Sequence, residues 1–186
     1  MNLIAPRRDV SQNLAERRPF AGAAEPDAPM FELIELMFFA YRDFAGDADH
    51  LLAALGFGRA HHRALHFVSR RPGLTIAELL DIFQITKQSL NRALKELIGR
   101  DYVEARPGMR DRRQRQLFPT ARGQALARDA AILQSRRFAR VFRELPEGAR
   151  AGAIAFLHDM VDAGGRDKIA ATAGAGPASS TAGPER

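Results

Sequence analysis

Between Thr86 and Lys95 the chain carries Lys87, Gln88, Ser89, Asn91 and Arg92, all within about three helical turns. Amides, a hydroxyl and a guanidinium group at this spacing match what base-edge readout in a DNA major groove uses. There Asn or Gln pairs well with adenine, and Arg with guanine. Gln88, Ser89, Asn91 and Arg92 are the base-contact candidates, while Thr86, Lys87 and Lys95 suit phosphates. A second basic group follows at Arg110, Asp111, Arg112, Arg113 and Arg115. Arginine on a hairpin tip is suited to a minor groove, most of all a narrow and strongly negative one, and Arg112 or Arg113 fits that contact.

His61, His62 and His66 form a third group. His62 and His66 are four residues apart and share a helix face, a spacing seen in metal sites. No Glu-x-x-His frame surrounds them, since Arg63, Ala64 and Leu65 lie between, and His50 is the one obvious further ligand nearby. Packing histidines, or histidines lining an effector pocket, are the competing reading. A histidine-dependent metal- or haem-responsive sensor, or a small metal enzyme, stays open beside it. Catalytic signatures are missing: no Gly-x-Ser-x-Gly, no Gly-rich phosphate loop and no dinucleotide-binding glycine pattern. The expectation is no enzyme, no catalytic residue, no metal site and no cofactor.

The elements that must carry these groups are written around them. Thr75 precedes Glu78 by three residues, a capping box. Ile76, Leu79, Leu80 and Phe83 then make the stripe of a short amphipathic helix. Gln84 and Ile85 are a turn, and Thr86 caps a second helix whose apolar face is Leu90, Leu94, Leu97 and Ile98. Tyr102 and Val103 begin a strand, Pro107-Gly108 breaks it, and Leu117 and Phe118 close a hairpin. Helix, turn, helix and arginine-rich hairpin make a winged helix-turn-helix.

Phe31 to Phe44 is apolar on nearly every side, so it must be covered on most sides, and a partner subunit is implied. Gly46-Asp47-Ala48-Asp49 is expected to kink or restart that helix, and Arg59–Arg70 forms the next one. Thr120 caps a long helix to about Arg143, with Leu126, Ala130, Leu133, Arg137, Phe138, Val141 and Phe142 inward. Pro146 is expected as a first helical residue, before a last helix over Ala149–Val161. The predicted architecture is mainly α, a winged helix-turn-helix with a small two- or three-stranded β-wing, flanked by N- and C-terminal dimerisation helices. Its divisions are a mobile arm (1–28), an N-terminal dimerisation region (29–57), the winged lobe (58–119), C-terminal dimerisation helices (120–163) and a disordered tail (164–186).

The wing resembles that of the MarR family of bacterial transcription regulators. The family's Asp-x-Arg pattern is matched by Asp111 and Arg113, and Asp111 would orient Arg113 by a charge-assisted bond. Its Leu-Thr-x-x-Gly helix start is matched at Thr120 and Gly123, with Pro119 in place of leucine. The resemblance runs from roughly Phe31 to Asp162, and the Gly58–Val68 run is similar to a PetP-like subgroup. It implies a homodimer, a repressor or activator, with Phe31, Ile34, Phe38, Tyr41, Phe156, Leu157 and Met160 at the interface. It also implies a small anionic or aromatic effector bound between the dimerisation helices and the DNA-binding lobe, with His62, Arg63 and His66 as its contacts.

Net charge is +6 over 186 residues, and the positive field is local: Gln84 to Arg122 holds ten Lys/Arg against four Asp/Glu. On this architecture that field favours double-stranded DNA. A wing docking an acidic protein partner is the alternative. The absence of cysteine excludes disulfides and thiolate ligands. The longest apolar run, Leu36–Tyr41, is far short of the ~20 residues a membrane span needs. No signal peptide is evident, so a cytoplasmic protein is expected.

Overall fold

The computed structural model describes residues 28–108 and 114–173. Helix α1 (Phe31–Ala53) is followed by α2 (Arg59–Arg70), strand β1 (Leu74–Thr75), α3 (Ile76–Phe83) and α4 (Lys87–Gly99). Strands β2 (Val103–Pro107) and β3 (Arg115–Pro119) lead into α5 (Ala121–Glu144), α6 (Ala149–Asp159) and α7 (Ala163–Ala173). The sheet is antiparallel in the order β1-β3-β2, so the wing has three strands. Leu74 pairs with Leu117 and Val103 with Pro119. No helix among the described residues is long and apolar enough to cross a membrane.

Local chemistry sets the helix starts. The Thr75 N–H donates to the Glu78 carboxylate at 2.7 Å, and the Glu78 N–H donates back to Thr75 Oγ1 at 3.2 Å. Thr86 accepts from the Ser89 N–H and Thr120 from the Gly123 N–H. Between α3 and α4, Gln84 turns the chain with φ +51°, a left-handed conformation that its side chain supports by donating to the Asp81 carbonyl at 2.7 Å. Leu52, Leu65, Val68, Leu79, Leu90, Leu97, Val103 and Leu117 are fully buried, so one core joins the end of α1, both helix-turn-helix helices and the wing.

Four expectations are corrected. First, α1 runs unbroken through Gly46–Asp49. Ala45, Ala48 and Leu52 are buried there. Asp47 binds Arg137 and Asp49 binds Arg59 instead of capping a new helix. Second, Pro146 lies outside α6, which begins at Ala149 after Gly148 turns with φ +85°. Third, the tail expected from Gly164 is helical to Ala173 as α7, whose Lys168 reaches Asp81 at 2.9 Å. Fourth, Ile98 is 40% exposed, because the buried face of α4 is Leu90, Ala93, Leu94 and Leu97, one position round the helix. Along α5 the inward stripe fades: Leu126 and Ala130 are buried, whereas Phe138 and Val141 are exposed.

Candidate nucleic-acid interface

Burying Leu90, Ala93, Leu94 and Leu97 leaves the opposite face of α4 to solvent. Thr86, Lys87, Gln88, Ser89, Asn91, Arg92 and Lys95 are all exposed. The helix is about 20 Å long at 1.5 Å per residue, and a major groove about 12 Å wide admits such a rod. The wing closes one side of it. A cleft of about 740 Å³ is lined by Lys87 and Asn91 of α4, by the start of α3, and by Gln114, Arg115 and Gln116. Recognition-helix and wing candidates thus meet in one concavity. Arg115 is held there by donating to the Ala105 carbonyl at 3.2 Å across the hairpin. Arg110, Asp111, Arg112 and Arg113 lie outside the described residues.

Arg92 is 84% exposed and donates to Glu96 at 3.3 Å along the helix. The other Glu96 oxygen meets His61 Nε2 at 3.0 Å. The Arg92 and His61 bonds hold the Glu96 carboxyl below its ordinary range. Sequence reading missed two arginines that the geometry picks out, one in the wing and one at the end of α4. Arg106 lies over the Phe118 ring at 4.5 Å and pairs with Glu104. Arg100 covers Phe57 at 4.4 Å. Their place in the basic segment was visible; their stacking was not, because that of Arg106 depends on strand register and that of Arg100 on how the end of α4 packs against the α1–α2 loop.

The histidine group lies elsewhere. A cavity of about 220 Å³ between α1, α2 and α5 is lined by His62, Arg63 and His66, together with Tyr41, Arg59 and Gln134. Its walls also include Phe44 and Phe67. Burial pushes the pKa of both His62 and His66 below the ordinary imidazole value. Nearby Asp49 partly opposes the shift at His62, while His62 and Arg70 add to it at His66. The neutral rings stand edge to face, 6.5 Å apart. Arg63 is partly committed: it stacks on Phe83 at 4.5 Å and donates to the Phe83 carbonyl at 3.3 Å. Arg59, absent from the sequence candidates, is salt-bridged to Asp49 at 2.9 Å and supplies a second guanidinium. Its spacing with 62, 63 and 66 is the helical i, i+3, i+4, i+7 pattern, so the signal was there. Among the described residues no group of three or more His, Asp or Glu side chains converges as a metal site would.

The interface candidates Phe31, Ile34, Phe38 and Tyr41 of α1 are exposed, as are Phe156, Leu157 and Met160 in and just beyond α6. Phe38 is 71% exposed and Phe31 65%. Exposed large apolar side chains clustered on one helix of a single chain, as on α1, mark an interaction site.

A sequence model of the MarR family matches residues 55–114. The HTH-type transcriptional regulator PetP of Rhodobacter capsulatus is 46% identical over 129 residues, covering 69% of this chain and 78% of that protein. A Mycobacterium tuberculosis MarR family protein, solved with p-aminosalicylic acid, is 25% identical with a TM-score of 0.53, covering 72% of this chain and 98% of that one. Streptococcus pneumoniae FabT, solved with DNA, shares the fold at a TM-score of 0.63 and 14% identity, covering 71% of this chain and 94% of that one.

Proposed function

The chain belongs to the MarR family of transcription regulators, which are not enzymes, and from that premise we propose that it works as a homodimer on a pseudo-palindromic operator. The observation that carries this is the exposed face of α4, with Lys87, Asn91 and Arg115 brought into one cleft. Gln88, Ser89, Asn91 and Arg92 read base edges; Thr86, Lys87 and Lys95 hold phosphates; the wing residues Arg110, Asp111, Arg112, Arg113 and Arg115 serve the adjacent groove. Two-fold symmetry makes the operator an imperfect palindrome, with half-sites about one helical turn apart. The apolar surface of α1 and α6 supports the homodimer. The working compartment is the cytoplasm, where the DNA is. FabT, of the same fold, has been solved with DNA.

A second element is effector control through the α1–α2–α5 cavity. At about 220 Å³ it is smaller than the roughly 300–1,000 Å³ of drug-sized sites. Two guanidinium groups and aromatic walls suit a small aromatic acid, the class of molecule present in the M. tuberculosis relative. The neutral imidazoles of His62 and His66 can hydrogen-bond a phenol or carboxylate without a fixed charge.

Footprinting on the DNA upstream of the coding region, with a salt series and random duplex as control, tests the DNA reading. Two-fold protection, with affinity well above random duplex and reduced in Arg92→Ala, is the expected result. Uniform, salt-labile binding to every duplex would leave only a basic winged helix and favour an acidic protein partner. Salicylate titration of the wild type and of His62→Ala/His66→Ala tests the effector reading. Equal response in both would remove the histidines from it.

A further inference from the structure

On the outer side of α1 and α5 lies a concavity of about 420 Å³ lined by Asp47, His50, Arg136, Arg137, Arg140 and Arg143, with Leu133 beneath. Between Ser135 and Glu144 the helix carries four arginines and no acid. Arg136, Arg140 and Arg143 recur at i, i+4 and i+7, so their guanidinium groups stand on one face, where like charges destabilise a helix. Among the described residues, only Arg137 of the four has a hydrogen-bonded acid partner. Asp47 takes Arg137 in a two-pronged pair at 2.5 and 2.8 Å, and Arg137 holds that carboxyl below its ordinary range. The other three remain as concentrated positive charge at the mouth of a cavity.

We infer that this groove is a second binding site, taking a multiply charged phosphate-bearing anion between Arg136, Arg140 and Arg143. Guanidinium forks match phosphate oxygens two at a time, and three forks over two helical turns fit a ligand of several phosphate groups better than a single one. The ion pair of Arg137 with Asp47 forms a neutral floor that fixes α5 against α1. The site is separate from those above. At about 100° per residue, Arg136 and Arg140 lie on roughly the opposite side of α5 from the apolar Phe138 and Phe142. Asp47 and His50 lie on the opposite side of α1 from Tyr41 and Ala45, which face the histidine cavity. Pairing of two chains through the Phe31, Ile34, Phe38 and Tyr41 face of α1 therefore leaves the arginine groove open. The phosphates could be those of a free polyphosphorylated molecule or of the DNA backbone, and the same chemistry recognises both.

The test is calorimetric titration of the full-length protein with inorganic tripolyphosphate at low and high salt. It is run on the wild type and on Arg136→Gln/Arg140→Gln/Arg143→Gln, with Arg137 retained. The variant removes like-charge repulsion and should melt no lower than the wild type; Arg140→Gln alone serves should it fail to fold. The expected result is affinity at least tenfold weaker in the triple variant, about threefold weaker in the single one, and weaker at high salt in the wild type. Repeating the titration on the operator complex separates the sources. Binding that persists with DNA in place assigns a free ligand. Binding that vanishes, with an operator salt slope lower by up to about 0.9 per lost contact in the triple variant, assigns the DNA backbone. Equal tripolyphosphate affinity in wild type and variants would overturn the site.

Discussion

Replacing Gly123 by alanine should loosen the junction between wing and long helix. Gly123 lies in the first turn of α5, buried against the end of the α4–β2 turn. A methyl group there would sit 1.9 Å from the Tyr102 carbonyl oxygen, 2.9 Å from its carbon and 3.3 Å from Leu65 Cδ1. Carbon–oxygen contacts settle near 3.3–3.6 Å, so α5 must withdraw by about 1.5 Å. The carbonyl cannot simply swing aside, because it accepts from the Thr120 N–H at 3.2 Å. Two effects oppose. Alanine is better than glycine in a helix by about 1 kcal/mol. Overpacking costs about 1–3 kcal/mol, and the upper end applies because the atom met is backbone. Loss of the Thr120 bond adds about 1 kcal/mol, leaving a net loss of about 2–3 kcal/mol. Urea unfolding at fixed protein concentration reads this as a lower midpoint at unchanged slope. A midpoint that stays put, or rises by the helix-propensity gain, would mean that α5 is not seated on the Tyr102 carbonyl.

Acid should weaken the fold in a window set by two histidines. His62 and His66 titrate near 6.5 when unfolded and lower when folded, so the unfolded chain takes up protons first as pH falls. Stability is therefore kept above about pH 6.5 and declines below it, and His62→Gln/His66→Gln should flatten that decline. Asp47 and Glu96, lowered from 3.8 and 4.5, lose their contribution only at more acid pH, so unfolding curves at pH 7 and 5.5 isolate the histidines. Arg92→Ala should cost about 1–3 kcal/mol on the operator and relax preference at one base pair, whereas Lys87→Ala should weaken all duplexes alike and lower the salt slope by about one. Competition binding against single-base operator variants distinguishes them; the same pattern for both would refute the division into base and phosphate contacts. Phe38→Asp should shift the protein to monomer in sedimentation, because it puts a charge into the apolar surface of α1; an unchanged dimer would move the interface elsewhere.

What the sequence revealed is what short-range chemistry decides. The Thr75–Glu78 box, the Thr86 and Thr120 caps and the turn at Gln84 each close within three or four residues, so spacing alone exposes them, although not the left-handed conformation of Gln84. The unbroken course of α1 was hidden for the converse reason. Gly46, Asp47 and Asp49 carry the local signature of a break, but Arg137, ninety residues on, and Arg59, ten residues on, recruit the two carboxylates. Polar α4 residues could be named as candidate contacts because a stripe of leucines fixes which face is hidden. The cleft they share with Arg115 could not, since it depends on β3 lying between β1 and β2. Arg59 shares a helical face with the histidines, but only the fold reveals that α1 and α5 close over it.

Under the proposed effector reading, α2 is the element through which ligand and DNA act on one another. Arg59, His62, Arg63 and His66 face the cavity. One position round the helix, His61 Nδ1 accepts the Gly58 N–H at 3.1 Å, which leaves the proton on Nε2 to face Glu96 at 3.0 Å. Glu96 in turn receives Arg92, a base-contact candidate. Arg63 reaches the last residue of α3 through the Phe83 carbonyl. Both helices of the helix-turn-helix are thus bonded to the helix that walls the cavity. A ligand that fits one setting of α2 better than another biases the position of α4 by that difference in affinity and by no more. The coupling runs both ways: whatever factor the ligand takes from operator affinity, the operator must take from ligand affinity. A cavity joined only to the dimer-forming surface would couple through subunit spacing alone. On that reading the His61–Glu96–Arg92 chain is a second route, within each subunit, and it would tie His61 and Glu96 to the reading of DNA although neither lies at the base-contact positions.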